Sequence, residues 1–142
     1  MNTIYIPPRG ELRKMPVRNL DTLYWKLFSR WTRLKHADPQ TGYVRCFTCG
    51  KIDHWQFMDC SHYIKRGNQC TRYSELNNHP CCRNCNRNLD GNLEKYAENL
   101  DQTYGKGTAQ KLEHLGRQTC KVQRCDYVDG ILRIQKKLSN YE

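Results

Sequence analysis

Apolar residues recur at helical spacing near both ends of the chain and lose that rhythm in between. Leu20, Leu23, Tyr24, Leu27, Trp31 and Leu34 fall on one face, with Lys26, Arg30, Arg33 and Lys35 opposite. This predicts an amphipathic helix that Asp21 can cap. Asp38-Pro39-Gln40-Thr41-Gly42 predicts the turn that ends it. Residues 43–85 are cysteine-punctuated and poor in helical periodicity, with Tyr43-Val44-Arg45 and Phe57-Met58-Asp59 as short strand material. After Cys85 the helical rhythm returns through Leu89, Leu93, Tyr96, Ala97, Leu100 and Tyr104. Gly91 predicts a break between a short helix and a longer one, which Asn92 can cap. Gly105 and Gly107 close that helix, Thr108 starts another through Leu112 and Leu115, and a last one uses Val128, Ile131, Leu132 and Leu138. Residues 1–18 carry Pro7, Pro8 and Pro16 among Arg9, Arg13, Lys14 and Arg18. They read as an extended basic arm, since Pro16 leaves little room for a helix before Asn19. The pattern predicts that arm followed by a single α+β domain over residues 19–142.

Composition sharpens this picture. Only 37% of the 142 residues are hydrophobic and mean hydropathy is −0.94. A core that thin needs a staple from metal, disulfides or a partner chain, and nine cysteines are at hand. The start, Met1-Asn2-Thr3-Ile4-Tyr5-Ile6-Pro7-Pro8, has neither the charged nor the apolar region of a secretory signal. No apolar run of about 18 residues is present to span a membrane. We therefore expect a chain in a reducing cytoplasm, where C-x2-C spacings read as metal ligands. Net charge is +10 and the isoelectric point near 9.3, with Lys and Arg spread along the chain. Such an excess, interleaved with tyrosines, suits a nucleic-acid backbone as partner.

Cys46-Phe47-Thr48-Cys49-Gly50 is one C-x2-C knuckle, and Cys82-Arg83-Asn84-Cys85 is a second. Together they make the closed four-sulfur set of a structural Zn2+ site, with Gly50 relieving the backbone after the second ligand. Binding of this kind supplies about 10–16 kcal/mol in zinc-finger peptides, enough to replace a missing core. Cys81 adjoins Cys82, and the x2 spacing to Cys85 favours Cys82 as the ligand. Cys60 and Cys70 read as buried packing residues. The looser spacing of Cys120 and Cys125 makes a second metal site the lesser reading.

Zinc alone describes a binding module; chemistry is suggested by Asp59-Cys60-Ser61-His62-Tyr63-Ile64-Lys65-Arg66-Gly67 between the knuckles. Phosphodiester hydrolysis needs a base near pH 7, a divalent cation at the phosphate, and cations for developing charge. His62 can be the base, Asp59 and Asn86 can offer oxygens to Mg2+ or Mn2+, and Lys65 and Arg66 can face phosphate.

The order Cys46/Cys49, Asp59/His62, Asn77-Asn78-His79-Pro80, Cys82/Cys85-Asn86, Gly91-Asn92 resembles the phage NinG/Rap recombination endonucleases, a branch of the HNH or His-Me finger group. The zinc-bracketed arrangement is also similar to phage endonuclease VII resolvases. The resemblance covers about residues 20–105. It implies a small zinc-stabilised ββα-metal core with flanking α-helices, His62 as general base, Asn86 as metal ligand, and Asn77 bracing the loop that presents His62. Many HNH sequences place the acid immediately before the base, where this chain has Ser61 and carries Asp59 instead. In a regular strand Asp59 and His62 point to opposite faces, so Asp59 acts through water or as a brace. The resemblance further implies a phage-encoded protein in the cytoplasm of a bacterial host, or a bacterial one, with DNA as substrate in branched recombination intermediates such as a Holliday junction or D-loop.

Other polar residues have blander readings. His79 before Pro80 reads as a structural loop residue, His54 as a neighbour of the zinc site, and His36 and His114 as solvated helix residues. Asn86 has helix capping as its rival role, and Asp90 is a spare ligand one turn on. The contrasting function class is a noncatalytic zinc-ribbon module that binds nucleic acid. A redox role for C-x2-C lacks the βαβ context it requires. Paired incision of a junction predicts a homodimer, with the apolar stripe of residues 20–34 and the arm as its interface, and packing within one chain as the rival explanation of the stripe.

Overall fold

The structure is a computed structural model that describes residues 2–142. The chain divides into two compact units, one formed by residues up to Trp31 together with Lys121–Glu142, the other by Thr32–Cys120.

The first unit is helical. Residues 2–8 are extended, as expected of the arm, but Arg9–Leu12 closes into a short helix, α1. Helix α2 runs Val17–His36, starting four residues before Asp21. Pro16 is the cause: it has no N–H to satisfy, and its carbonyl accepts from Asn19 and Leu20 at 2.9 and 3.0 Å. Asp21 thus lies inside the helix. The last helix, α5 (Arg124–Leu138), opens on a capping box between Gln123 and Asp126.

Leu12, Leu20, Tyr24, Leu27, Phe28 and Trp31 are buried, as are Tyr127, Val128, Ile131, Ile134 and Leu138. Tyr24 meets Tyr127 edge to face at 6.5 Å and accepts a hydrogen bond from Arg133 at 3.0 Å. The ammonium of Lys137 sits 4.6 Å from the Trp31 ring centroid. Packing within the chain therefore covers the stripe that we expected to serve as a dimer interface.

The second unit is built from short pieces. Asp38 accepts from the amides of Gln40 and Thr41, making the expected turn after α2. Strands β1 (Tyr43–Arg45) and β2 (Ile52–His54) pair antiparallel, Tyr43 opposite His54. Phe57 does not join a strand: Trp55–Phe57 winds into a 3-10 turn capped by His54 Nδ1, and β3 begins at Asp59. Strand β3 (Asp59–His62) pairs antiparallel with β4 (Asn78–Cys81), Asp59 opposite Cys81 and His62 opposite Asn78. Pro80 is tolerated because a strand in a two-stranded sheet needs only one ladder partner, and its carbonyl accepts from Phe47 N at 2.9 Å.

A π turn over Asn84–Asn88 follows, then α3 (Leu93–Tyr104) and α4 (Thr108–Gly116), separated where Gly91 and Gly105–Gly107 were expected to break the helices. Asn92 does precede α3, yet its side chain makes no cap and instead reaches Cys85 Sγ at 3.6 Å. Cys70 is not a packing residue. It forms a disulfide with Cys120 across 50 residues, because the loop between β3 and β4 folds back onto the end of α4. Among the described residues no helix is long and apolar enough to cross a membrane. The fold is thus mixed α+β, with small antiparallel sheets around a four-cysteine cluster.

Candidate metal centre and active site

The sulfurs of Cys46, Cys49, Cys82 and Cys85 all lie within 4.8 Å of one another. Cys49 and Cys82 are 3.7 Å apart. A tetrahedron with zinc–sulfur bonds of about 2.3 Å has sulfur–sulfur edges of about 3.8 Å, so the donor set fits a zinc ion. The first knuckle closes because Gly50, at φ +83°, turns back so that its amide donates to the Cys46 carbonyl at 3.0 Å. From α3, Asn99 donates to the carbonyls of Phe47 and Thr48 at 2.7 and 3.2 Å, holding this knuckle from behind. The second knuckle is supported by Cys85 N donating to Cys82 Sγ at 3.5 Å. The cluster selects Cys82 over Cys81, which lies buried behind it against Thr48. Burial pushes the Cys49 thiol up to about 12, and a divalent cation at the centre would deprotonate it.

Directly after Cys85, Asn86 donates to Asp59 Oδ2 at 2.9 Å. Arg87 grips both oxygens of the same carboxylate at 2.8 and 2.9 Å. Burial opposes ionisation of Asp59, but these hydrogen bonds outweigh it and hold the carboxyl below its ordinary value. The two expected oxygen ligands are therefore brought together, with Arg87 as an unexpected third member. The π turn makes this possible, because it returns Asn86 and Arg87 to the start of β3 immediately after the last sulfur.

His62 ends β3. It stands three residues beyond Asp59, about 10 Å along the strand, and both are half-buried while Cys60 and Ser61 between them are buried. His62 is half-buried, and its pKa is lowered by burial and by the Arg66 and Arg72 guanidiniums. Beyond it, Asn77 is fully buried and clamps the chain leaving His62: its Oδ1 accepts from Ile64 N at 2.7 Å, its Nδ2 donates to the carbonyls of Ile64 and Thr71, and its carbonyl accepts from Tyr63 N. Asn78 continues this, donating to the carbonyls of Arg72 and Ser74. Lys65 and Arg66 are exposed at the tip of the turn.

His79 is enclosed rather than presented. It stacks on Phe47 at 3.9 Å, with Nδ1 3.0 Å from the Tyr96 hydroxyl and Nε2 2.7 Å from that of Tyr104. Tyr96 gives its one proton to the Ser61 carbonyl at 3.0 Å. Nδ1 of His79 must then donate to Tyr96, leaving Nε2 to accept from Tyr104. Burial first, then His36 and Lys35, lowers His79 to about 3, so it is a neutral brace.

Three residues that matter here were not among the expected site residues. Arg87 fixes Asp59, Tyr96 ties α3 to β3, and Arg72, almost wholly buried, donates to the Arg66 carbonyl at 3.1 Å. Arg87 had one signal, its place beside Asn86; the other two depend on long-range packing.

No curated protein and no solved structure matches the chain. The family model described as Bacteriophage Lambda NinG protein matches residues 12–142, and the chain therefore belongs to the NinG family.

Proposed function

We propose that the chain is a divalent-metal-dependent endonuclease that hydrolyses phosphodiester bonds in DNA, acting on branched recombination intermediates as a pair of copies. In this reading β3, β4 and the π turn form a ββα-metal finger of the HNH type. The observation that carries it is β3 itself. One four-residue strand holds Asp59, bonded to Asn86 beside the four-sulfur cluster, and ends on His62, whose exit is clamped by Asn77. A noncatalytic zinc module has no need of that arrangement.

Mg2+ or Mn2+ held by the Asn86 side chain would stabilise charge on the phosphate oxygens. The Asp59 carboxylate, already spanned by Arg87, orients the Asn86 amide. His62, kept neutral by burial and its arginine neighbours, takes a proton from the water that attacks phosphorus as the bond to the leaving oxygen breaks. Lys65 and Arg66 draw the phosphate backbone to the turn beyond His62.

The test compares wild type with His62→Ala on junction, flap and linear DNA in magnesium. The variant should fold and bind zinc and DNA, yet cleave about 10²–10⁴-fold more slowly. Wild-type cleavage should fall only below a pKa under the ordinary 6.5, since His62 is lowered. Equal rates would remove His62 as base. A wild type that binds DNA but never cuts it would favour the zinc module.

A further inference from the structure

Beside the candidate active site lies an open groove of about 600 Å³ that the chemistry above does not use. Its walls include Tyr63, Ile64 and Lys65 from the turn after His62, Leu93 at the start of α3, and Glu113 and Gly116 from α4. That volume suits a small organic ligand, and the walls are mainly apolar with an aromatic ring. The groove is held firmly. A Cβ on Gly116 would meet Ile64 at 2.9 Å, so the turn and α4 approach as closely as glycine allows. Asn68 also donates to the Gly116 carbonyl, and the Cys70–Cys120 disulfide ties the two segments again.

Charge identifies the occupant. The chain carries +10 overall, and a second groove along α4 is lined by Lys111, His114 and Arg117. The phosphates of a nucleic acid would be drawn there and to Lys65. The Tyr63 groove instead contains a carboxylate, Glu113. A carboxylate repels phosphate and can only accept hydrogen bonds. What enters is therefore a flat apolar group with donors on its edge, arriving alongside a phosphate backbone. Among the bases only guanine offers two adjacent donors, N1–H and the 2-amino group. Adenine and cytosine each pair one amino donor with an acceptor, and thymine flanks its single donor with two carbonyls.

We propose that this groove receives one unstacked guanine of the DNA, stacked on Tyr63 with its Watson–Crick edge at Glu113. This rests on the nucleic-acid reading above and adds to it a base-reading subsite next to His62.

The test uses the full chain with zinc bound and EDTA-free buffer lacking magnesium, so that cleavage plays no part. Fluorescence anisotropy measures binding to a duplex with a single bulged guanine, hypoxanthine, thymine or abasic site, and to the same duplex without a bulge. The bulged guanine should bind about tenfold tighter than the abasic site, with hypoxanthine between them because it lacks the 2-amino donor. Tyr63→Ala should bring the guanine-to-abasic ratio close to one, while Tyr63→Phe, which keeps the ring, preserves most of it. Glu113→Gln, a substitution at an exposed position, should abolish the guanine-to-hypoxanthine difference. Duplex binding with equal affinity for guanine and abasic bulges would overturn the proposal and leave the nucleic-acid reading standing. Failure to bind any of these DNAs would overturn both.

Discussion

In the unit formed by residues up to Trp31 and Lys121–Glu142, the interior is Leu12, Leu20, Tyr24, Leu27, Phe28 and Trp31 with Val128, Ile131, Ile134 and Leu138. In Thr32–Cys120 apolar residues such as Trp55, Met58, Tyr96, Leu100 and Leu112 share the interior with sulfur and polar groups: Cys46, Cys60, Cys81, Cys82 and Cys85, with Ser61, Thr71, Asn77, Asn78 and His79. The first unit gains stability from area removed from water, and its helices are long enough to present a stripe. The second has three- and four-residue strands that bury little apolar area. Alongside its apolar residues it has a four-cysteine cluster that can hold a metal, a disulfide and many satisfied hydrogen bonds. The candidate chemistry lies wholly in that second unit. A polar interior can hold a neutral histidine and a bonded carboxylate at fixed positions, which an aliphatic one cannot do without a large desolvation cost.

Metal removal should separate the two units most. Replacing Cys82 with Ser, or stripping zinc with a strong chelator, should cost on the order of 10–16 kcal/mol of folding free energy in the cysteine-organised unit. Hydrogen exchange should then show β3, β4 and α3 unprotected while α5 stays protected. Loss of protection in both units together would show that they fold as one cooperative whole. Full protection with no zinc bound would remove the metal from the account.

How much of this was legible follows the same division. The C-x2-C knuckles were readable because a metal knuckle is a local object, set by two cysteines and one glycine. The helical stripe of α2 was readable from its period, though its start was misplaced: a polar cap at Asp21 competed with Pro16, and proline, indifferent to its missing donor, won. The cysteine-organised unit yielded less. Phe57 has strand propensity, but His54 captures the amide of Gln56 and winds the segment into a turn. The identities of Asp59, Asn86 and His62 as polar residues between knuckles could be picked out. The place of His62 three residues beyond Asp59 in one strand was readable from their spacing, but that Asp59 would be spanned by Arg87 depends on the π turn, which has no sequence period.

The disulfide gives a smaller and cleaner separation. Cys70–Cys120 closes a loop 50 residues apart, and the chain-entropy model assigns such a link about 4 kcal/mol. Cys70→Ser with Cys120→Ser should lower the melting temperature at saturating zinc, with exchange rising in residues 63–77 and not in α5. An unchanged melt would show that the loop is already fixed by Asn77 and Asn78. Thiol counting on protein purified without reductant, then unfolded and stripped of zinc, should find seven of the nine cysteines free.

The weakest expected effect tests the polar interior itself. His79 is held near 3 in the fold by burial, against about 6.5 when unfolded. Its neutral form is the one the fold accepts, so the unfolded chain takes up the proton first as pH falls. This contribution is complete above pH 6.5 and is lost progressively as pH falls toward 3. It amounts to about 2 kcal/mol by pH 5. Cysteine ligands also protonate over this range, so the measurement is a difference: denaturant stability from pH 7 to 5, wild type against His79→Gln, both at saturating zinc. Ligand protonation is common to the two proteins and cancels. The glutamine variant should be less stable at pH 7 yet lose about 2 kcal/mol less on acidification. Parallel stability curves would mean that His79 opens to water and takes its proton without unfolding. The Tyr96–His79–Tyr104 chain would then not be the rigid brace that ties α3 to β3.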